Sequence, residues 1–266
     1  MEDGPLSGRA GIDVSLVVPF FNPGPVVRDT VQRAAKALEA AGTSYEVIAV
    51  SDGSTDGSPA ELAGLLPEVL KVVELPENRG KGWAVRTGFA LARGALIGFL
   101  DADGDIPPEQ LTGIVRVAAG GGADIVYGSK RHKGSEVEVP FARRSFTRLY
   151  SALIRRMFHL PVLDTQTGVK VLRAEVVRAV LPVMAEDRFA FDLELFVLAH
   201  DLGYGSFVAV PVRVEKAYRS TVSLKAGANL AFDSCRIYWR LRVRGRQASR
   251  DREAGAGSKT LGPGRS

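Results

Sequence analysis

Three aspartates stand at alternate positions directly after an apolar segment of the chain. Asp101, Asp103 and Asp105 follow the run ALIGFL, which ends at Leu100. Alternate side chains of an extended backbone point to the same side, so the three carboxylates converge if this segment stays extended. Converging carboxylates repel one another unless a cation lies between them, and oxygen ligands of this kind suit Mg²⁺ or Mn²⁺. The spacing predicts a divalent-metal site that would hold a diphosphate as it leaves.

Two aspartates separated by one residue arise about once by chance in a chain of this length, so their position carries the argument. Polar residues also follow three other apolar runs: Pro19 and Phe21 in PFFN, Asp52 in SDGSTDG, and Lys81 in NRGKG. The Asp52 carboxylate either accepts from a base or ribose or only shapes an Asx-turn. The NRGKG segment opens a predicted helix, where backbone amides and a lysine suit a phosphate.

The elements that must position these residues are short apolar strands alternating with helices. This alternation predicts a single wound, mostly parallel α/β sheet flanked by helices, whose strands are buried on both faces. Ligands of such sheets bind outside the carboxyl ends of the strands, where all four polar segments fall. The predicted strands are 14–19, 45–50, 70–75, 95–100 and 123–127, and the predicted helices are 25–41, 58–66, 82–92 and 107–119.

The second half of the chain is more basic and ends in a polar tail. We predict a basic helix at 141–158 and a polar turn at 164–168. Two further strands are predicted at 169–172 and 208–214, and three further helices at 175–183, 191–202 and 228–244. The predicted domain organisation is a flexible N-terminus (1–12), one catalytic domain (13–215), a basic amphipathic C-terminal segment (216–245) and a disordered tail (246–266).

Composition excludes several classes of site. The single cysteine, Cys235, forms no internal disulfide and no cysteine-type metal centre, and the three histidines lack zinc-site spacing. The net charge of +5 and the pI of about 9.4 favour an anionic partner only weakly. Since the sequence shows neither a long apolar span nor a signal peptide, we expect a cytoplasmic protein that contacts the membrane face peripherally.

Four segments in this order and at these spacings resemble the inverting family 2 glycosyltransferases with the GT-A fold, over about residues 13–215. They are VVPFFN, VSDGSTDG, NRGKGWAVRTG and FLDADGDIPPE. The second half, with GSKRHKGS, RRSFTRLYSALIRRMF, DTQTGVKVLR and FAFDLELFVLAHDLGYG, resembles the polyprenyl-phosphate sugar synthases. The forms DTQTGxK and FAFDLEL are most similar to the dolichyl-phosphate glucosyltransferase branch.

The resemblance implies a role for each matching residue. Nucleotide-sugar binding is implied for Pro19, Phe21, Asp52, Lys81, Asp101 and Gln166. Contact with the acceptor phosphate is implied for Lys130, Arg131, Arg144 and Arg148. Metal binding is implied for Asp101, Asp103 and Asp105, although Asp105 could instead cap the helix before Pro107. Catalytic roles are implied for Asp103, Glu194 and Arg148, and Asp164 would shape the sugar side.

The chemistry of the acceptor agrees with this arrangement. A lipid monophosphate, with a second pKa near 6 by analogy with protein phosphates, is mostly a dianion at pH 7 and already a nucleophile. The site then needs cations more than a base, and the basic helix carries five arginines whose planar forks suit phosphate. Either Arg144 or Arg148 would contact the acceptor, or the arginines form a solvated face. The same helix carries aromatic and aliphatic residues suited to a membrane surface.

The sequence thus predicts transfer of a hexose from a nucleotide-diphosphate sugar, with UDP-glucose favoured, to a polyprenyl or dolichyl phosphate with inversion. Three alternatives stay open: a mannose synthase using GDP-mannose, a sugar-1-phosphate nucleotidylyltransferase, and a non-catalytic nucleotide- or lipid-binding partner. The second would normally carry a Gly-rich basic loop near residue 19, where this chain has VVPFFN. We expect no nucleic-acid partner, because no base-stacking platform is evident, and the oligomeric state stays open.

Overall fold

The computed structural model describes residues 11–137, 152–162, 164–215 and 224–244. The chain divides into two compact units, Met1–Thr221 and Val222–Ser266. Several predictions fall outside the described residues: most of the N-terminal segment 1–12, the positions of Arg144 and Arg148, and the tail 246–266. The predicted domain boundaries stay a prediction.

The first unit is built on one seven-stranded sheet with the order β3-β2-β1-β4-β6-β5-β7. Its strands are β1 (Val14–Phe20), β2 (Tyr45–Ser51), β3 (Leu70–Glu74), β4 (Leu96–Leu100), β5 (Ile125–Ser129), β6 (Val169–Arg173) and β7 (Phe207–Pro211). Neighbouring strands are parallel, except that β6 runs antiparallel to both β4 and β5. The prediction of a wound, mostly parallel sheet is confirmed.

Helices cover both faces of this sheet. They are α1 (Val26–Ala40), α2 (Lys81–Leu91), α3 (Leu111–Ala119), α4 (residues 152–158), α5 (Ala174–Val180) and α6 (Phe191–Asp201). Alternation along β1 divides the core, because Leu16 and Val18 pack in the cluster that includes α1 and α3. Val17 lies on the other face, so close to Gly88 of α2 that a side chain there would collide with it.

Three local predictions differ from the structure for identifiable reasons. The strand β3 is not buried on both faces, since it lies at the sheet edge and Val72 is 36% exposed. The predicted helix 58–66 is only a 3-10 turn, Ser58–Leu62, because the left-handed residues Gly64 and Leu66 stop it. The predicted helix 107–119 likewise begins as a 3-10 turn, Pro108–Gln110, before α3.

The antiparallel strand decides which segments meet at the ligand-binding edge. The strands β1, β2 and β4 all end at this edge, whereas β6 begins there. The turn that precedes Val169 is therefore brought beside the residue that follows Leu100, although the two are far apart in sequence.

The second unit contains α7 (Leu224–Tyr238), which continues as a π-helical turn, Trp239–Arg244. The helix begins four residues before its predicted start at 228. Phe232, Tyr238 and Trp239 are exposed, as are Cys235 and Arg236 on the same stretch. No helix within the described residues is long and apolar enough to cross a bilayer.

Candidate active site

A cleft of about 1130 Å³ opens at the carboxyl ends of β1, β2 and β4. Seven of the predicted residues line it: Pro19, Phe21, Asp52, Lys81, Asp101, Asp103 and Asp105. Phe189, which was not predicted, lines it as well. The structure therefore brings together the four polar segments that the sequence placed after separate strands. Gln166 is not among the residues that line this cleft.

The centre of the cleft holds an ion pair between Lys81 and Asp101. The Nζ of Lys81 lies 2.5 Å from Oδ1 of Asp101, and the two side chains are 16% and 30% exposed. Lys81 is the first residue of α2, where Gly80 has a φ of 121° and lies too close to the carbonyl of Asp187 for any side chain. Burial opposes the charged form of Lys81, yet Asp101 and then Asp192 raise its pKa above the ordinary value, so the ammonium stays charged.

Asp103 is a second carboxylate beside this ion pair. Its Oδ1 accepts a hydrogen bond from the amide of Asp105 at 3.0 Å. Limited hydration of the carboxyl group and the neighbouring charge of Asp101 raise the pKa of Asp103 above its ordinary value. A bound cation would reverse this shift by favouring the ionised form. The donor chemistry therefore fits a hard divalent cation next to Asp103.

The predicted three-carboxylate metal site is not assembled. Among the described residues, no three His, Cys, Asp or Glu side chains are placed to hold one ion together. The physical reason is local, since Asp101 turns to Lys81 and Asp103 closes a turn with the backbone of Asp105. The helix-cap alternative for Asp105 is also wrong, because the cap position of the next helical turn is Pro107.

Asp52 is a buried carboxylate that organises the loop leading into α2. Its two oxygens accept from the amides of Arg79 at 3.0 Å and Gly80 at 2.8 Å, and the residue is only 3% exposed. These bonds match the loop-shaping alternative and place Gly80 for the start of the helix. Contact of Asp52 with a base or ribose stays a prediction.

One wall of the cleft is tied together by Asn22, which the sequence left without a role. Its side-chain Oδ1 accepts from the backbone amide of Thr55 at 2.8 Å, and its backbone amide donates to Oγ of Ser54 at 3.1 Å. Asp56 accepts from the amide of Gly24 at 2.8 Å. The loops after β1 and β2 therefore form one braced unit, which carries Phe21, 49% exposed, at the cleft.

The turn 164–168, which leads into the antiparallel strand β6, lies beside the cleft residue Asp101. The carbonyl of Gly168 accepts from the amide of Asp101 at 2.9 Å, and a side chain at Gly168 would collide with the Asp101 carboxylate. Asp164 accepts from the amides of Lys130 and Gln166, both at 3.2 Å. Within the described part of the chain, the buried Nε2 of Gln166 has no hydrogen-bond partner. A ligand with an acceptor oxygen would satisfy it.

Behind the ion pair lies a second, fully buried one, between Lys170 and Asp192. The Nζ of Lys170 is 2.6 Å from Oδ1 of Asp192 and also donates to the carbonyl of Thr167 at 2.7 Å. The side chains are 0% and 3% exposed. The ion-pair alternative for Asp192 is thus the correct one. The sequence indicated no role for Lys170, because it stands in an otherwise apolar strand.

The catalytic role of Glu194 stays a prediction, and the structure shows this carboxylate bound to backbone amides. Its carboxylate is fully buried and accepts from the amides of Ala185, at 3.0 and 3.1 Å, and Glu186, at 2.7 Å. These amides belong to a loop that packs against the start of α2, where the carbonyl of Asp187 accepts from the amide of Trp83 at 3.1 Å. Glu194 therefore positions the loop and does not line the cleft.

Two of the four residues predicted to contact the acceptor phosphate lie within the described part of the chain. Lys130 and Arg131 follow β5 at the ligand-binding edge, and the Lys130 side chain is exposed. The other two predicted phosphate ligands, Arg144 and Arg148, lie outside the described residues. Phe189, 70% exposed on the loop before α6, also lines the cleft. Its exposure is a tertiary property that no local signal in the sequence indicates.

The fold and the cleft together define a GT-A type domain: a wound α/β sheet with one antiparallel strand and a charged cleft at the strand ends. A solved structure with this fold is glucosyl-3-phosphoglycerate synthase from Mycobacterium tuberculosis in complex with Mn²⁺, UDP and phosphoglyceric acid. It superposes with a TM-score of 0.68 at 19% identity, covering 88% of this chain and 80% of that one. At this identity the likeness concerns the fold alone.

Residues 15–181 match the family model described as glycosyl transferase family 2, and the chain belongs to this family. A dolichyl-phosphate beta-glucosyltransferase from Drosophila melanogaster is 34% identical over 76% of this chain and 65% of its own length. An undecaprenyl-phosphate 4-deoxy-4-formamido-L-arabinose transferase from Edwardsiella ictaluri is 32% identical over 63% of this chain and 51% of its own length. The chain thus spans less than two thirds of these relatives.

Proposed function

We propose that this protein transfers a hexose from a nucleotide-diphosphate sugar to a polyprenyl phosphate, with inversion at the anomeric carbon. The observation that carries the proposal is the Lys81–Asp101 ion pair beside Asp103 in the cleft of a family 2 domain. The two relatives named above act, by their names, on different sugars but on the same class of lipid phosphate. The lipid phosphate is thus the feature that the two names share.

The donor is proposed to lie along the cleft from the braced wall to Asp103. Pro19 and Phe21 would contact the base, and Asp52 the ribose or base edge. The ammonium of Lys81, at the start of α2, would face the diphosphate, where helix amides add to its positive charge. Gln166, whose buried Nε2 has no hydrogen-bond partner among the described residues, would donate to a sugar hydroxyl. UDP-glucose is the favoured donor on the resemblance of the DTQTGxK segment.

We propose that Asp103 would hold a divalent cation, Mg²⁺ or Mn²⁺, in the cleft beside the donor diphosphate. When bound, it supplies positive charge to the leaving diphosphate. Asp101 would remain with Lys81, so the protein needs to supply fewer ligands than the three aspartates first predicted. The Asp103 carboxylate lines the cleft beside the Lys81–Asp101 pair, where a bound cation would favour its ionised form.

Transfer is proposed to proceed without a protein base. An oxygen of the acceptor phosphate forms a bond to the anomeric carbon as the bond from that carbon to the diphosphate oxygen breaks, and the nucleoside diphosphate leaves. The acceptor is a dianion at neutral pH and loses no proton in this step. The burial of Glu194 against backbone amides supports a mechanism in which that carboxylate takes no part.

The lipid acceptor requires contact with a membrane surface, which we propose for the second unit. Trp239 and Phe232 are 50% and 70% exposed, and Arg236 is exposed beside them. Aromatic and basic residues on one helix suit the headgroup region of a bilayer. Lys130 and Arg131 are proposed to face the acceptor phosphate, together with Arg144 and Arg148.

A donor panel tests this proposal. Purified protein is incubated with radiolabelled UDP-glucose, GDP-mannose or UDP-N-acetylglucosamine, with polyprenyl phosphate in vesicles and either Mg²⁺ or Mn²⁺. Label in the lipid extract with UDP-glucose is the expected result. Label with GDP-mannose alone would instead favour the mannose-synthase alternative. Absence of lipid-linked label with every donor, while a control synthase is active, would contradict the lipid acceptor.

A further inference from the structure

Two lysines and two aspartates form two neighbouring ion pairs, one in the cleft and one in the core behind it. Lys81 pairs with Asp101 at 2.5 Å, and Lys170 pairs with Asp192 at 2.6 Å. The ring of Phe99 lies against both ammonium groups, with its centroid 5.2 Å from Nζ of Lys81 and 4.9 Å from Nζ of Lys170. The first pair opens to the cleft, whereas the second is sealed in the core.

Three carboxylates, Asp101, Asp192 and Asp103, act electrostatically on Lys81. Asp101 acts on it most strongly, and Asp192 is the next in strength. The Nζ of Lys81 is also 5.5 Å from the ring centroid of Phe191, the residue that precedes Asp192. A retreat of the flexible lysine side chain towards Asp192 would remove its charge from the cleft. Asp192 in the core therefore competes with Asp101 in the cleft for one ammonium group.

We propose that Lys170 is a positioning residue: by occupying Asp192 it keeps the ammonium of Lys81 at Asp101, where the donor diphosphate meets it. This inference rests on the proposed function, because it assigns the diphosphate to Lys81. Burial lowers the pKa of Lys170 and raises that of Asp192. The Lys170–Asp192 pair has no net charge whether the shared proton lies on Lys170 or on Asp192. In either case Asp192 no longer attracts the ammonium of Lys81 as a free carboxylate would.

A buried ion pair of this kind is not required for stability alone. Replacement of both partners by apolar residues is often neutral or stabilising, whereas removal of one partner leaves a costly buried charge. The inference therefore predicts an asymmetry between single and double variants. Lys170→Met leaves Asp192 uncompensated and draws Lys81 inward, whereas Lys170→Met/Asp192→Leu removes the competing carboxylate together with its partner.

The test measures UDP binding by titration calorimetry, with thermal unfolding recorded for each variant. Lys170→Met is expected to bind UDP about tenfold to a hundredfold more weakly, the usual cost of one charged contact. The double variant is expected to regain affinity to within about threefold of the original protein, far less than one such tenfold step. Adding Lys81→Met to the double variant is expected to abolish the regained affinity.

Two outcomes overturn the inference. A folded Lys170→Met that binds UDP as the original protein does shows that Asp192 does not draw Lys81 away. A folded double variant that stays as weak as the single one assigns Lys170 to the Thr167 carbonyl instead. Where Lys170→Met does not fold, the double and triple variants decide alone. An original protein that binds neither UDP nor GDP contradicts the proposed function itself, which separates the two failures.

Discussion

The carbonyl of Gly168 accepts a hydrogen bond from the amide of Asp101 at 2.9 Å, and the carboxylate of Asp101 occupies the space where a side chain at 168 would begin. This contact joins the start of the antiparallel β6 to the end of β4. Glycine is required here by close approach and not by its backbone angles. The position of the Asp101 carboxylate, and with it the ion pair to Lys81, therefore depends on residue 168.

Gly168→Ala is expected to displace Asp101 and to lower hexose transfer by about tenfold to a hundredfold, because small misplacements in a site are costly. The matched control is Gly113→Ala in α3, where an added methyl group meets nothing within 4 Å. This control is expected to keep full activity. The measurement is initial rate together with UDP affinity. Equal rates for the two variants would show that Asp101 does not need its present position.

Asp103→Asn is expected to lower hexose transfer by about a hundredfold or more, as is usual when one group that stabilises transition-state charge is lost. It should also raise the Mg²⁺ or Mn²⁺ concentration that gives half-maximal rate. Asp29→Asn, a change in an exposed ion pair with Arg33, is the control for loss of a surface charge. Full activity of the original protein in excess EDTA would exclude the proposed cation.

Glu194→Gln distinguishes a structural carboxylate from a catalytic one. The amide side chain keeps one acceptor oxygen but presents an NH₂ group to the donors Ala185 and Glu186. The expected cost is about 1–3 kcal/mol of unfolding free energy, or a melting temperature lower by about 2–4 °C per kcal/mol. The rate constant of folded protein should change little. An unchanged melting temperature with a rate lowered a hundredfold would support the catalytic role.

Acid stability is expected to depend on Glu46. Burial opposes its ionised form, but hydrogen bonds from Arg93 and Ser15 outweigh this and hold the pKa of Glu46 below its ordinary value of 4.5. A depressed folded-state pKa contributes stability that is complete above 4.5 and is lost as the pH falls through the lower, folded-state value.

The measurement for this carboxylate is chemical denaturation from pH 7 to pH 3. Glu46→Gln should be less stable than the original protein at pH 7, and the gap should narrow below pH 4.5. Glu39→Gln, at an exposed position of α1, serves as the comparison. A gap that is constant across the whole range would contradict the assignment.

Trp239→Ala and Phe232→Ala are each expected to weaken binding to anionic vesicles, because exposed aromatic side chains contribute apolar area at a bilayer surface. The readout is co-sedimentation with vesicles that contain phosphatidylglycerol. Transfer to a short, water-soluble prenyl phosphate should be unaffected. Undiminished sedimentation of the double variant would remove the second unit as the membrane contact.

Local patterns determined much of the fold. Short apolar runs predicted the seven strands. The burial of β3 was misjudged because its place at the sheet edge is a tertiary property, whereas the helix predicted at 58–66 is cut short by the left-handed residues Gly64 and Leu66. The residues Lys81, Asp101 and Asp103 were predicted because each lies in the segment that follows an apolar run, and parallel strands end at one edge. Such signals span a few residues, so they can be read without knowing the fold.

Only the tertiary structure decided what each charged side chain faces. Glu194 and Asp192 stand two residues apart in one helix, yet one accepts backbone amides and the other an ammonium group. By sequence alone Lys170 only interrupts an apolar strand, whereas in the folded protein its ammonium group is paired with Asp192. The partner of a buried charge is set by packing between elements far apart in sequence, because burial without a partner is too costly to persist. Residue type and spacing therefore predicted the edge of the sheet that carries the chemistry, while long-range packing decided which of its charges reach the cleft.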